Sequence, residues 1–303
     1  MSIQLTGLVA ATHTPFTADG ELNLAAVERQ AEHLARNGVK TVFIGGSTGE
    51  SHSLRVEERL ALAQRWSEVL RDGDLRLVVH VGSNCLPDSC VLAAQAQSLK
   101  ADAIAALAPS YFKPKSLDAL IACSAEIAAA APGTPYYFYD IPVLTGVSFS
   151  MPEFLARAPE RIPTLRGIKF TNPDLMAYQK CLHANDGGFD IPWGVDEYLL
   201  AALSLGANGA VGSSYNFAAP IYQRVIAAFA RGDLAAARAE QYRSVQLIEL
   251  LAGLGYMAAA KATMGLLGVD VGPPRLPNAR LTEAEHSRLE AGLESLGFFA
   301  WVR

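Results

Sequence analysis

Several features that mark specialised classes of protein are scarce or absent in this sequence of 303 residues. It contains four cysteines, Cys85, Cys90, Cys123 and Cys181. Their scattered positions, without CxxC spacing, predict free thiols in a reducing compartment and no disulfide or metal site. The N-terminal residues MSIQLTGLVA lack the basic start and apolar core of an export signal, so we expect a cytoplasmic protein.

Runs of charge and long hydrophobic runs are also missing. The 25 basic and 30 acidic residues give a net charge of -5 and form no clusters, so we expect no nucleic acid partner. The longest nearly apolar stretch, residues 245–260, contains Gln246, Glu249 and two glycines, which predicts a buried helix and no membrane span. Because half of the residues are hydrophobic and no long polar tract occurs, disorder is excluded.

Short aliphatic runs alternate with longer amphipathic runs up to about residue 215, as is typical of parallel strands joined by helices. Several runs, such as VFIGG and LVVHVG, are apolar on nearly every residue, which indicates strands covered on both faces. We predict eight strands, at residues 7–14, 41–46, 75–82, 103–109, 135–141, 165–171, 191–194 and 209–213. Eight such units close into an α/β fold, the (β/α)8 or TIM barrel.

The segments between these strands are rich in Ala, the best helix former. After the last strand some 90 residues remain, which is more than the one helix that completes a barrel. Helices are predicted in this remainder at residues 218–230, 234–252, 256–267 and 283–296. We therefore expect a single domain, 1–303, with the barrel at 1–230 and a C-terminal helical extension at 231–303 packed on it.

Lys169 is the most unusual residue of a predicted strand, because it interrupts the apolar run LRGIKFT. Active sites of these barrels lie at the carboxyl ends of the strands. A lysine that points into a barrel is desolvated, which lowers its pKa and makes the amine a nucleophile for Schiff-base formation. The alternative is an ion pair with an acid on a neighbouring strand. The other candidate buried lysine, Lys261, lies on a late helix outside the barrel, and we expect a structural role for it.

The preceding strand, PYYFYDIP, places Tyr137 and Tyr139 on one face. One βα unit separates Tyr139 from Lys169, so we expect the two residues at the ends of adjacent strands, about 4.8 Å apart. A phenol beside an amine or iminium is a suitable proton carrier, whereas a strand tyrosine taken alone is typical of packing.

Residues 45–50, GGSTGE, follow the second strand and form a turn that exposes backbone N–H groups beside the hydroxyls of Ser47 and Thr48. Such a turn is an anion cradle. No GK[ST] follows and GxGxxG is absent, so a carboxylate fits better than a nucleotide. A plain strand-to-helix turn is the alternative.

The seventh and eighth predicted strands end in WGVDE and GSSYN, at residues 193–197 and 212–216. The paired acids could hold a metal, but no histidine or third acid is nearby in the sequence, so no metal site is predicted. Clustered hydroxyl acceptors at a barrel mouth suit a polyol instead. We expect His80, in LVVHVG, to be a core histidine with satisfied hydrogen bonds and not a base.

As a set, these motifs resemble the pyruvate-dependent class I aldolases of the N-acetylneuraminate lyase and dihydrodipicolinate synthase family. The resemblance covers nearly the whole chain and rests on GGSTGE, YDIPV, GIKFT, GVDE, GAVGSSYN and GPPRLP, the last at residues 272–277. It implies a (β/α)8 barrel with a C-terminal helical extension, usually a homotetramer, that needs no metal and no organic cofactor.

The resemblance also implies roles for single residues. Lys169 would form the Schiff base with the keto carbon, Tyr139 would shuttle the proton, and Tyr111 would complete the proton relay from a neighbouring subunit. Ser47, counted with these catalytic residues, would hold the substrate carboxylate together with Thr48. Contacts to the carboxylate end and the polyhydroxyl tail would come from Thr171, Gly194, Asp196, Glu197 and Ser213.

The hypothesis is therefore cleavage of N-acetylneuraminate, a sialic acid, to pyruvate and N-acetylmannosamine. The resemblance implies that a dihydrodipicolinate synthase has an arginine at the position of Leu144, where it receives an acidic second substrate. Leucine at this position therefore disfavours such a synthase. A second enzyme alternative is an aldolase or dehydratase of a 2-keto-3-deoxy sugar acid. A catalytically silent sugar-acid sensor, or a purely structural barrel, is the alternative outside enzymes. The expected partner is a small-molecule 2-oxo acid, with no nucleic acid and no membrane.

Overall fold

The centre of the molecule is a sheet of seven parallel strands, seen in a computed structural model that describes residues 3–302. The strands are β1 (Gly7–Ala11), β2 (Thr41–Ile44), β3 (Arg76–His80), β4 (Ala103–Leu107), β5 (Tyr136–Asp140), β6 (Leu165–Phe170) and β7 (Gly209–Gly212). Their order in the sheet is β6-β5-β4-β3-β2-β1-β7.

Residues 190–194 close the barrel between β6 and β7. Trp193 forms parallel bridges to Phe170 of β6 and to Ala210 of β7, in place of a full strand. The predicted seventh strand, 191–194, is thus reduced to single bridges, because Pro192 has no N–H group to donate to a ladder. Eight units nevertheless surround the barrel, and the predicted (β/α)8 fold with its C-terminal helical extension is confirmed.

The helices alternate with the strands and then continue as the extension. The four helices predicted at residues 218–230, 234–252, 256–267 and 283–296 begin and end within three residues of these positions. The bounds are α1 (Ala26–Arg36), α2 (Val56–Leu70), α3 (Leu86–Ser98), α4 (Leu117–Ala129), α5 (Pro142–Thr145), α6 (Met151–Arg157), α7 (Leu175–Leu182), α8 (Leu199–Leu205), α9 (Tyr215–Ala230), α10 (Leu234–Ala252), α11 (Tyr256–Leu266), α12 (Glu283–Leu296) and α13 (Phe298–Trp301). Between residues 3 and 302 no single helix is long and apolar enough to cross a membrane. Together α10 and α11 have the necessary length and apolar character, but the pair is bent by 112°.

Alternate side chains of the strands fill the interior of the barrel. At its lower end Tyr137 donates a hydrogen bond of 2.7 Å to Asp190, which also accepts one from the backbone of Leu5. Tyr137 is therefore a structural residue. Towards the upper end the interior holds Phe43, Tyr139 and other buried side chains, because successive residues of a strand face opposite sides of the sheet.

A buried ion pair joins the extension to the barrel. The Lys261 Nζ on α11 lies 3.1 Å from the Glu50 carboxylate, and it also donates to the carbonyl oxygens of Thr14 and Pro273. The second oxygen of Glu50 accepts from the backbone N–H of Arg275 at 2.9 Å. Lys261 thus has the structural contacts expected of it. These contacts support our proposal that residues 1–303 form one domain.

Replacing Lys261 by methionine would leave the Glu50 carboxylate buried without its cation. We expect Lys261→Met to lower the free energy of unfolding by about 3–5 kcal/mol, the usual effect of breaking a buried pair from one side. Denaturant titration followed by circular dichroism would measure it. The matched control is Lys180→Met on an exposed face of α7, with an effect within about 0.5 kcal/mol. Equal midpoints for the two variants would contradict the role of the pair.

Candidate active site

A cavity of about 830 Å³ opens at the carboxyl ends of the strands. Its walls come from the loops after β2, β5, β6 and β7 and from α10, α11 and α12 of the extension. Nine of the ten residues that the sequence predicted for the site line this cavity, namely Ser47, Thr48, Tyr139, Lys169, Thr171, Gly194, Asp196, Glu197 and Ser213. The structure thus brings together motifs that are up to 166 residues apart.

Lys169 lies at the bottom of the cavity and is 3% exposed. Its Nζ is 3.7 Å from the ring centroid of Tyr139 and 4.2 Å from that of Phe43. Burial lowers the pKa of the amine, while Tyr139 and Asp196 raise it by smaller amounts. Within residues 3–302 no carboxylate oxygen is within 4.0 Å of this Nζ, so the ion-pair alternative fails. A desolvated, unpaired amine is the form that attacks a carbonyl carbon.

Tyr139 is held directly beside Lys169. The two residues are paired across β5 and β6, as their spacing in the sequence predicted. The Tyr139 ring meets the rings of Phe43 and His80 edge to face, each with centroids 5.8 Å apart. Its hydroxyl is 3.4 Å from the Ser47 Oγ. The packed rings leave the phenol one position, between the amine and the loop after β2.

The loop of residues 45–50 has the geometry of an anion site. Gly45 has a φ of +64°, and a Cβ atom at Gly46 would lie 2.7 Å from the Phe43 ring, so both positions require glycine. In the described chain the N–H groups of Ser47 and Thr48 donate no hydrogen bond. Two free N–H groups beside two hydroxyls at the edge of the cavity suit a carboxylate.

Asp196 is buried at the other side of the cavity. Its Oδ2 accepts from the backbone N–H of Ser214 at 2.9 Å, and burial raises its pKa to about 6. A Cβ atom at Gly212 would lie 2.0 Å from the Asp196 Oδ1, so the carboxyl group occupies the space of the missing side chain. Glu197 follows it on the cavity wall. These two acids are acceptors for hydroxyl groups.

The Thr171 side chain likewise occupies the space that a side chain at Gly194 would need. A Cβ atom at Gly194 would lie 2.0 Å from the Thr171 Oγ1, which is buried. The Thr171 Oγ1 has no hydrogen-bond partner within residues 3–302. A buried hydroxyl group without a hydrogen-bond partner destabilises the folded chain, and a ligand or a water molecule can supply that partner. Thr171 is therefore available to a substrate group.

The structure adds Tyr256, which the sequence analysis did not select. Its hydroxyl is 2.8 Å from the Ser213 Oγ and 3.2 Å from the Ser214 Oγ. The helices predicted at residues 234–252 and 256–267 are confirmed as α10 and α11, so the apolar stretch 245–260 is not one helix. The chain breaks at Gly255 (φ +84°) and Tyr256 begins α11. The two glycines in that stretch were the available signal, because they mark a break that brings a new side chain to the barrel mouth.

Tyr111 does not reach the cavity of its own chain. Its side chain is 79% exposed and packs edge to face on Phe112, which is 86% exposed. The Asn84 side chain accepts from the backbone N–H groups of Ser110 and Tyr111 and so holds the segment in place. The predicted contribution of Tyr111 from a neighbouring subunit stays a prediction.

Other residues considered in the sequence have no place in the cavity. The four cysteines Cys85, Cys90, Cys123 and Cys181 are free thiols. Among residues 3–302 no three His, Cys, Asp or Glu side chains come together as a metal-binding group. His80 is buried below Tyr139, with its Nδ1 bonded to the Gly45 carbonyl oxygen and its Nε2 without a partner, so the core position is as expected but only one nitrogen is satisfied.

The pKa of Asp196 makes stability depend on pH. The carboxyl group has a pKa of about 6 in the folded chain and of about 3.8 in the unfolded chain. Its contribution to the free energy of unfolding is therefore present below pH 4 and is lost as the pH rises through 6. Denaturant titrations would measure the free energy of unfolding at pH 4 and at pH 7. Its decrease between these two pH values should be smaller for Asp196→Asn than for the wild type. Asp72→Asn, at an exposed turn, should show the same loss as the wild type. Parallel curves for all three proteins would exclude the buried carboxyl group as the cause.

The comparisons with known proteins agree with this geometry. The model of the Dihydrodipicolinate synthetase family matches residues 4–296. The N-acetylneuraminate lyase of Rattus norvegicus is 41% identical over 302 residues, which cover 98% of this chain and 94% of the rat protein. The human N-acetylneuraminate lyase is 39% identical over 303 residues, with coverages of 99% and 95%.

Solved structures give the same result. The N-acetylneuraminate lyase of Proteus mirabilis superposes with a TM-score of 0.95 at 38% identity, over 98% of this chain and all of that one. The dihydrodipicolinate synthase of Cyanidioschyzon merolae reaches a TM-score of 0.89 at 29% identity, over 97% and 98% of the two chains. The resemblance inferred from the motifs is confirmed: the chain belongs to the dihydrodipicolinate synthetase family.

Proposed function

We propose that this chain is a carbon–carbon lyase that cleaves N-acetylneuraminate to pyruvate and N-acetylmannosamine. The observation that carries the proposal is Lys169, a buried amine without an ion pair, 3.7 Å from the Tyr139 ring in a cavity that also contains hydroxyl and carboxylate acceptors. The N-acetylneuraminate lyases at about 40% identity support the sialic acid as substrate.

The first step is addition of the Lys169 amine to the keto carbon, C2, of the open-chain sugar acid. The amine donates its electron pair to C2, and the C2–oxygen bond breaks after the oxygen has taken up two protons, one from the attacking nitrogen and one from the proton relay. The oxygen leaves as water, which gives the protonated Schiff base. The lowered pKa of Lys169 increases the fraction of neutral amine. The covalent iminium serves as the electron sink, and we propose that no metal and no organic cofactor takes part.

The second step breaks the bond between C3 and C4. The hydroxyl on C4 loses its proton to Tyr139, the C4 oxygen forms a carbonyl, and the electron pair of the C3–C4 bond moves into the iminium to form an enamine. The 3.4 Å contact between Tyr139 and Ser47 supports Ser47 as the next member of the proton relay. N-acetylmannosamine leaves, the enamine takes a proton at C3, and water releases pyruvate from Lys169.

Two regions of the cavity would bind the two ends of the substrate. The carboxylate would accept from the free N–H groups and hydroxyls of Ser47 and Thr48. The remaining binding residues, Thr171, Gly194, Asp196, Glu197 and Ser213, would contact the carboxylate end or the polyhydroxyl tail. The cavity of about 830 Å³ is at the upper end of the range for small-molecule sites, which favours a long sugar acid over a short one.

Leu144 bears on the choice among family members. It lines the cavity, is 63% exposed and offers no charge for an acidic second substrate. An aldolase for a shorter 2-keto-3-deoxy sugar acid shares the pyruvate half of the site and stays the second candidate. A silent sugar-acid sensor has no use for a buried, unpaired amine, whose burial lowers stability.

The Schiff base has a direct test. Incubation of the wild type with pyruvate and borohydride should add the mass of one reduced pyruvate adduct at Lys169, detected by peptide mass spectrometry. Lys169→Met, a neutral chain of similar length, should give no adduct and reduce pyruvate release from N-acetylneuraminate to background. Lys180→Met should leave both unchanged. A wild-type adduct at another lysine, or none, would refute the mechanism.

The same pyruvate assay separates the substrates. In a panel of 2-oxo sugar acids at equal concentration, the wild type should prefer the nine-carbon N-acetylneuraminate to a six-carbon 2-keto-3-deoxy acid. A preference for the six-carbon acid, with the Lys169 adduct intact, would replace the proposed substrate and keep the proposed chemistry.

We further propose a cytoplasmic homotetramer in which Tyr111 reaches the cavity of a neighbouring subunit. The exposed rings of Tyr111 and Phe112 support a contact between copies of the chain. Tyr111→Ala and Lys169→Met should each be inactive alone. Co-expressed, they should recover about a quarter of the wild-type activity, because half of random dimers are mixed and each mixed dimer has one complete site. No recovery in verified mixed oligomers would show that Tyr111 does not act across the interface.

A further inference from the structure

Behind the loop of residues 45–50 lies a buried cation that the proposed chemistry does not use. Arg59, on α2, is 6% exposed. Its Nη2 donates to the carbonyl oxygen of His80 at 2.8 Å and its Nη1 to that of Gly82 at 2.9 Å. Among the described residues no carboxylate oxygen is within 4.0 Å of the guanidinium group. A buried arginine that binds two carbonyl groups holds the end of β3 against α2.

His80 extends this connection to the loop. Its Nδ1 is 2.8 Å from the Gly45 carbonyl oxygen, which can only accept, so Nδ1 carries the proton. Burial and the nearby Arg59 hold the pKa of His80 well below its usual range, so the ring stays neutral. A Cβ atom at Gly82 would lie 2.9 Å from the His80 Nε2, so the ring packs closely on the backbone of Gly82 and position 82 has no room for a side chain.

The position of the Gly45 carbonyl group fixes the first peptide of the loop and with it the direction of the Gly46 N–H group. In a trans peptide the carbonyl oxygen and the next N–H point in opposite directions. With the Gly45 oxygen directed at His80, the N–H of Gly46 points away from His80. The loop is too tight to compensate, since a Cβ atom at Gly49 would lie 3.0 Å from the Gly45 nitrogen.

We propose that His80 and Arg59 are positioning residues of the carboxylate site: they hold the peptide after Gly45 in the orientation that lets the loop bind the carboxylate of the 2-oxo acid. This proposal rests on the proposed function, because it takes Ser47 and Thr48 as the carboxylate site. Neither residue lines the cavity, so both act through the backbone of the loop.

The test compares the two substrates of the condensation reaction, pyruvate and N-acetylmannosamine, of which only pyruvate has a carboxylate. His80→Leu removes the hydrogen bond to Gly45 at similar volume. We expect the KM for pyruvate, and the pyruvate concentration for half-maximal borohydride trapping at Lys169, to rise about tenfold or more. The KM for N-acetylmannosamine should stay within about twofold of the wild-type value.

His80→Asn restores a donor near the position of Nδ1 and should bring the KM for pyruvate back to within about threefold of the wild-type value. In Arg59→Lys the side chain reaches one carbonyl group in place of two, and the KM for pyruvate should rise by about threefold or more. This variant tests the proposal at a second residue. The matched control is His33→Leu, because the His33 Nε2 also bonds a carbonyl oxygen, that of Asn216, outside the loop. Its KM for pyruvate should not change.

Thermal melts would identify the variants that fold. A folded His80→Leu with the wild-type KM for pyruvate would overturn the proposal, as would equal increases in both KM values. Equal effects of Asn and Leu at position 80 would also overturn it, because a packing role makes no distinction in hydrogen bonding. The absence of a pyruvate adduct at Lys169 in the wild type would instead refute the proposed function. The wild-type measurement alone therefore distinguishes that outcome from a failure of the present proposal.

Discussion

The removal of the Lys169 amine from water is the constraint on which the rest of the site depends. Its pKa falls because the barrel interior around it, with the rings of Phe43 and Tyr139, solvates a cation poorly. The rings attract the ammonium group through their π faces, but no carboxylate within 4.0 Å neutralises it in the described chain. A closer acid would keep the amine protonated. The separation of more than 4.0 Å between the Asp196 carboxylate and this amine therefore contributes to the chemistry.

The buried charged groups near this amine are either paired with an opposite charge or bonded to backbone groups. Glu50 is paired with Lys261, and Arg59 is bonded to two carbonyl oxygens. Glu50 belongs to the loop after β2 and is held from the extension, whereas Arg59 acts on that loop from α2 through His80, which binds the Gly45 carbonyl oxygen. A small anion-binding loop with three glycines has little order of its own, because glycine loses the most conformational entropy on folding. The structure supplies the order from two sides, and the free N–H groups of the loop are the result.

The extension also completes the cavity. Tyr256 begins α11 at the point where the chain breaks after Gly255, and its hydroxyl binds Ser213 and Ser214 beside Asp196. The polyol side of the cavity thus combines a barrel loop with a helix that the barrel does not need for closure. This explains why residues beyond the eighth unit belong to the site as well as to the core.

The sequence by itself determined the fold, the amine and its neighbour, because each has a local signal: short aliphatic runs that alternate with amphipathic ones, a lysine inside a strand, and a tyrosine one βα unit before it. Nine of the ten predicted site residues lie in the cavity for the same reason, since strand ends of a parallel barrel meet at one face. The hydroxyl groups that Tyr256 contacts, the partners of Arg59 and the residues that Trp193 bridges had no such signal. They depend on contacts between residues far apart in the chain, as between Tyr256 and Ser213, and only the closed tertiary structure decides those distances.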